Sequence, residues 1–165
     1  MAAADEYLVS LRKRMAADGC AVTNGNVGST PVLVGYKSQS RALAKMHIFV
    51  VAAKTEQVGA AEVQGFVDAA VRLANARAGK WRGMQSGIIV LPVLVAHTAD
   101  ADAAALTRRA HRLKMGGFAA FAQPAVVDLT AGKVWTFRGT RLWGYAFNSL
   151  IRQKCAMYLP APSAE

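Results

Sequence analysis

The chain has 165 residues, the length of one domain, and 53% of them are hydrophobic, enough to build a core without disulfides. Its longest apolar run, residues 88–96, contains Pro92 and is far shorter than the roughly 20 residues of a membrane-spanning helix, which excludes an integral membrane segment. Lys and Arg number 20 against 10 Asp and Glu, a formal charge of +10, so the expected partners are anionic: nucleic acid, an acidic protein or anionic lipid.

Cys20 and Cys155 lie far apart and have no metal-ligand spacing, so they read as two free thiols of a cytoplasmic protein. The start of the chain carries Asp5 and Glu6 where a targeting segment would be basic, and it reads as mature protein.

In chain order, a first helix is expected over about Ala3 to Ala17. Tyr7, Leu8, Leu11 and Met15 form its apolar stripe, and Gly19 stops it. A short strand, Cys20 to Thr23, leads into the turn-rich segment 24–29. Strands follow at Pro31 to Tyr36 and at Met46 to Ala53, the latter continuously apolar and therefore central. A second helix spans about Val58 to Ala78, with Phe66, Val67, Ala70, Val71 and Ala74 facing inward.

Ile88 to Ala96 reads as a parallel strand covered on both faces, with Pro92 at a bulge or wherever its missing N–H is not needed. A third helix is expected from Asp100 to Met115, ended by Gly116 and Gly117, with Arg108, Arg109, Arg112 and Lys114 near its C-terminus. Phe118 to Leu129 and Val134 to Phe137 read as a hairpin around Thr130-Ala131-Gly132-Lys133. A last helix, about Leu142 to Tyr158, turns Trp143, Phe147, Leu150 and Ile151 inward.

The order α-β-β-β-α-β-α-β-β-α implies an α/β or α+β domain over residues 1–159, a single mixed sheet flanked by helices. The tail, residues 160–165, has the composition of a disordered segment.

The first six elements, about residues 3 to 96, resemble in order the core of the PD-(D/E)XK nuclease superfamily, whose fold is that of restriction endonucleases. That family carries an Asp after a Pro on its second strand, and an acid and a Lys separated by one residue on its third. The carboxylates hold Mg²⁺ and the Lys steadies the developing charge. Here Pro31 is present but Val32 stands in the place of the Asp. Lys54 is kept, and Ala52 replaces the acid. Valine and alanine offer no oxygen to Mg²⁺. The resemblance therefore implies a nuclease-like scaffold without its metal site, unless Glu6, Glu56 and Glu62 form a displaced one. Residues 82–87 and 137–144 are also similar to signature segments of a prokaryotic family to which no function is attached.

Other motifs read as structure. His47, His97 and His111 have no ligand-spaced partner, although His97 lies just past the end of a central strand, where α/β sheets place ligands. The Gly25/Gly28 segment lacks the Lys-Ser/Thr ending of a phosphate loop and leads into a strand, so it reads as a hairpin turn.

The basic clusters carry the functional expectation. Residues 69–99 contain no acid but include Arg72, Arg77, Lys80 and Arg82. Residues 133–164 contain none either, but include Arg138, Arg141, Arg152 and Lys154. Lys80-Trp81-Arg82 sets an indole between two cations, and Arg138 and Arg141 lie near Trp143. The first expectation is a non-catalytic nucleic-acid-binding domain that uses Lys54, Lys80, Trp81, Arg82, Arg138 and Arg141, with no cofactor and no metal. The alternatives are a self-associating or acidic-protein-binding protein, with an interface from the apolar strand 118–127 and the last helix, and a metal-dependent nuclease with displaced carboxylates.

Overall fold

The computed structural model describes residues 2–41, 44–78, 86–109, 111–115, 118–137 and 147–163, with backbone alone at 41, 44, 86, 111–115 and 118–120. The described residues form α1 (Ala2–Ala17), β1 (Ala21–Val27), β2 (Thr30–Arg41), β3 (Ala44–Val58), α2 (Ala60–Ala78), β4 (Ser86–Ala99) and α3 (Ala101–Thr107). They continue with β5 (His111–Met115), β6 (Phe118–Ala122), β7 (Ala125–Asp128), β8 (Lys133–Thr136) and α4 (Asn148–Tyr158). The fold is mixed α/β, as the element order implies, and the eight strands of the described residues join one open mixed sheet.

β1, β2 and β3 form an antiparallel meander. β4 returns parallel to β3 after the α2 crossover, and β6 and β7 both line the other side of β4 in parallel. β5 and β8 run antiparallel outside β6 and β7.

Alternation along the strands divides the core in two. Leu33, Ile48, Val50, Ala52, Leu91 and Val93 face α1 and α4, against Leu11, Met15, Leu150 and Tyr158. Val34, Phe49, Val51, Val90 and Leu94 face the other way, against Val63, Val67, Ala70 and Ala74 of α2 and Ala103 of α3. β3 and β4 are buried on both faces, which is why their sequences read as continuous apolar runs.

Local chemistry sets the element ends. α1 stops where Gly19 takes a φ of 88°, with its N–H donating to the Ala16 carbonyl. Gly28, at φ 59°, and Ser29 close the two-residue β1–β2 turn. Glu62 starts α2 by accepting the Gly59 N–H at 2.9 Å, half of a capping box. Gly35 lies directly under α1, where a Cβ would overlap the Met15 thioether.

Pro92 occupies a position where no donor is needed. Register pairs Val90 with Ala122 and Val93 with Ala125, so Pro92 faces Pro124 in the break between β6 and β7. The buried Gln123 fills that break: its N–H donates to the Val90 carbonyl, and its side-chain amide donates to Thr136 Oγ1 at 2.5 Å and the Phe137 carbonyl at 3.0 Å. The expected strand 118–129 is thus one line, interrupted for two residues.

Several expectations need correction. The third helix ends at Thr107, and 111–115 is strand β5, because antiparallel pairing with β6 gives its backbone the hydrogen bonds a helix would otherwise supply. The first strand runs on through the turn-rich segment to Val27. Within the apolar segment 118–127, Phe121, Ala122, Val126 and Val127 are buried in the protein's own core. α4 begins at Asn148; the expected start at Leu142, with Trp143, lies outside the described residues. Pro160, at the start of the tail expected to be disordered, accepts the Tyr7 hydroxyl on its carbonyl at 2.9 Å. Both cysteines are free and half-buried, and among the described residues no helix is long and apolar enough to cross a membrane.

Candidate nucleic-acid interface

α1 crosses the β2–β3 end of the sheet, and a cleft of about 310 Å³ opens beneath it. Asp5, Leu8, Val9 and Arg12, spaced at helical intervals on α1, form one wall; Pro31 and Leu33 of β2 and Ala52 and Lys54 of β3 form the floor. Lys54 Nζ lies 2.6 Å from Asp5 Oδ1, and both side chains are about half exposed, at 45% and 56%. Arg12 donates to Asn24 Oδ1 of β1 at 2.5 Å, a neutral partner. The cleft therefore holds two cations and one carboxylate over an apolar floor.

Two positions singled out by the resemblance meet here. Ala52 and Lys54 of β3 share the α1 side of the sheet with Leu33 of β2. Val32, in the place of the family's Asp, lines the cleft but packs into the core on the α2 side. An acid at 32 would thus point away from Ala52, so the motif positions do not converge as a metal site needs.

The displaced-carboxylate set fares similarly. Glu6 lies on α1 and Glu62 on α2, helices on opposite faces of the sheet, and Glu62 already caps its helix. Among the described residues, no group of three His, Cys, Asp or Glu is placed to hold a metal ion. His47 is buried, with Nδ1 2.8 Å from the Tyr36 hydroxyl; burial, then Lys45, lowers its pKa. His97 is exposed, and its carbonyl accepts both the N–H and the hydroxyl of Thr130. The His111 side chain lies outside the described residues.

Of the six residues expected to contact nucleic acid, the structure places Lys54. Lys80, Trp81, Arg82, Arg138 and Arg141 lie outside the described residues. Arg77 of α2 reaches β1, with Nη1 3.4 Å from Thr23 Oγ1. The edge strand is thus held by Arg12 on one face and Arg77 on the other, and each of these hydrogen bonds goes to an uncharged side chain.

The other basic residues divide by partner. Asp18, just past α1, accepts Lys154 Nζ and the Tyr158 hydroxyl, each at 2.5 Å, and Lys37 at 3.2 Å. Burial alone would raise the Asp18 carboxyl, but these hydrogen bonds and the Lys154 charge hold it at about 2. Lys154 is only 3% exposed, so this cation serves the fold and no ligand.

A different arrangement stands at the β8 edge. Arg108, expected to complement a helix end, lies at the C-cap of α3 with its guanidinium 4.9 Å from the centre of the Trp135 indole. Lys133 Nζ is 5.3 Å from the same ring. No ion pair ties either cation to a carboxylate among the described residues.

Asp5, Arg12 and Trp135 were not among the expected site residues. The first two have a sequence signal, since Asp5, Leu8, Val9 and Arg12 recur at helical spacing beside the buried stripe. Trp135 has none, because its approach to Arg108 depends on the chain returning through three further strands. Compared with protein-family models, curated proteins and solved structures, the chain matches none.

Proposed function

We propose that the protein is a non-catalytic nucleic-acid-binding domain whose phosphate contacts include the α1–β3 cleft. One observation carries this reading: Lys54 and Arg12 flank one cleft, and Asp5, the acid that lines it among the described residues, is exposed and held by a surface ion pair. Such pairs contribute about 0–1 kcal/mol, so a phosphate can take the place of Asp5 at little cost. The apolar side chains of Leu33 and Ala52 beneath offer nothing to a catalytic metal, which favours binding over cleavage. The element order shared with the PD-(D/E)XK core is consistent with a nucleic-acid-handling scaffold. Lys80, Trp81, Arg82, Arg138 and Arg141 join the proposal from the sequence, as cations and an aromatic in two regions without acids.

The test is fluorescence anisotropy with labelled duplex DNA, single-stranded DNA and RNA, titrated without Mg²⁺ at low and near-physiological salt. Sub-micromolar binding that persists at physiological salt supports the reading and names the preferred nucleic acid. Weak binding that disappears equally for all three overturns it, leaving the charge to an acidic protein partner or to solubility.

A further inference from the structure

The β8 edge lies far along the chain from the residues of the α1–β3 cleft and offers different chemistry. A cleft of about 620 Å³ opens there, within the range of small-ligand pockets, lined by Arg108, Lys133, Trp135 and Phe137 among others. Gly132, at φ 62°, turns the chain so that Lys133 begins β8 beside the pocket. Arg108 and Lys133 are both exposed, and Trp135 is half-buried, packed against the α2–α3 side of the core. An indole fixed by the core, with two cations about 5 Å from its centre and no carboxylate paired to either among the described residues, has both parts of a nucleotide site: a flat apolar surface for a ring and positive charge for a phosphate.

We propose that this cleft takes one unpaired nucleotide of a single strand, its base against Trp135 and its phosphate between Arg108 and Lys133. The two cations now rest on the indole through cation–π attraction, an exposed contact of modest strength that a phosphate can outcompete. Gln123 holds the site in shape, because its amide ties Thr136 and the Phe137 carbonyl to the β6–β7 break. The proposal rests on the nucleic-acid reading and adds to it a preference for unpaired bases.

The experiment compares a labelled oligo-dT about 12 nucleotides long, within the site size of single-strand binders, with an abasic backbone of equal length. Trp135→Leu is expected to weaken oligo-dT binding about tenfold while leaving abasic binding and the salt slope unchanged. Arg108→Gln, a change at an exposed position, is expected to weaken both probes and to lower the salt slope by about one contact. Arg12→Gln/Lys54→Gln serves as the control for the other cleft. If that control weakens binding but neither Trp135→Leu nor Arg108→Gln does, this site is overturned and the general reading stands. Equal loss of both probes in Trp135→Leu also overturns base stacking here. If the unaltered protein binds no nucleic acid, both readings fall.

Discussion

Lys154, on the last helix, places its ammonium 2.5 Å from Asp18 at the end of the first, joining the two ends of the chain through a nearly buried ion pair. The Tyr158 hydroxyl shares the same carboxylate oxygen, and the Cys20 thiol lies 3.3 Å from that hydroxyl. Removing the acid strands a buried cation. Asp18→Ala is therefore expected to cost about 3 kcal/mol in urea unfolding. Adding Lys154→Met to that variant should recover most of the loss, since an apolar side chain then replaces the orphaned charge. No recovery would mean that Asp18 acts through Lys37 or Tyr158 instead.

The same carboxylate sets a pH dependence. Its folded pKa, about 2, lies below the ordinary aspartate value of 3.8, so the folded state favours the ionised form. The stabilisation is complete above about pH 5 and is lost as pH falls from about 4 through 2, amounting to about 2 kcal/mol. Unfolding midpoints measured across this window should fall more steeply for the unaltered protein than for Asp18→Asn.

Much of this fold is legible in the sequence. The α1 stripe, the Gly19 stop, the central apolar runs of β3 and β4 and the turn before Lys133 all follow from local pattern. Pro92 could be placed only conditionally, because its tolerance depends on Pro124, 32 residues on, facing it from the break between β6 and β7. The end of the third helix is ambiguous in the sequence for a related reason. Arg108 to Lys114 suits a basic helix end as well as a strand, and pairing with β6 decides between them. Of the candidate site's described residues, Lys54 is singled out by the sequence, Asp5 and Arg12 carry only the signal of helical spacing, and Trp135 gains its neighbours from tertiary folding.

Gln123 is 1% exposed and its side-chain amide donates to two acceptors. Gln123→Leu keeps a similar volume but leaves Thr136 Oγ1 and the Phe137 carbonyl without that donor. The expected cost is about 1–3 kcal/mol, read as a lowered denaturation midpoint with an unchanged denaturant slope. A cost near zero would show that water replaces the amide.

Asp5 gives a prediction of opposite sign to a simple loss of function. If phosphate replaces this carboxylate beside Lys54, Asp5→Asn should strengthen nucleic-acid binding about threefold to tenfold at 0.1 M salt or so, with little change in stability. Competition titrations against the unaltered protein measure this directly. Weaker binding in Asp5→Asn would assign the acid a supporting role and argue against exchange.

The most direct measurement is the slope of log Kd against log salt for duplex DNA, in the unaltered protein and in Arg12→Gln/Lys54→Gln. Each phosphate contact contributes about 0.9 to that slope, so the double variant should lose nearly two while keeping its thermal stability. An unchanged slope in a folded double variant would remove the α1–β3 cleft from the nucleic-acid interface.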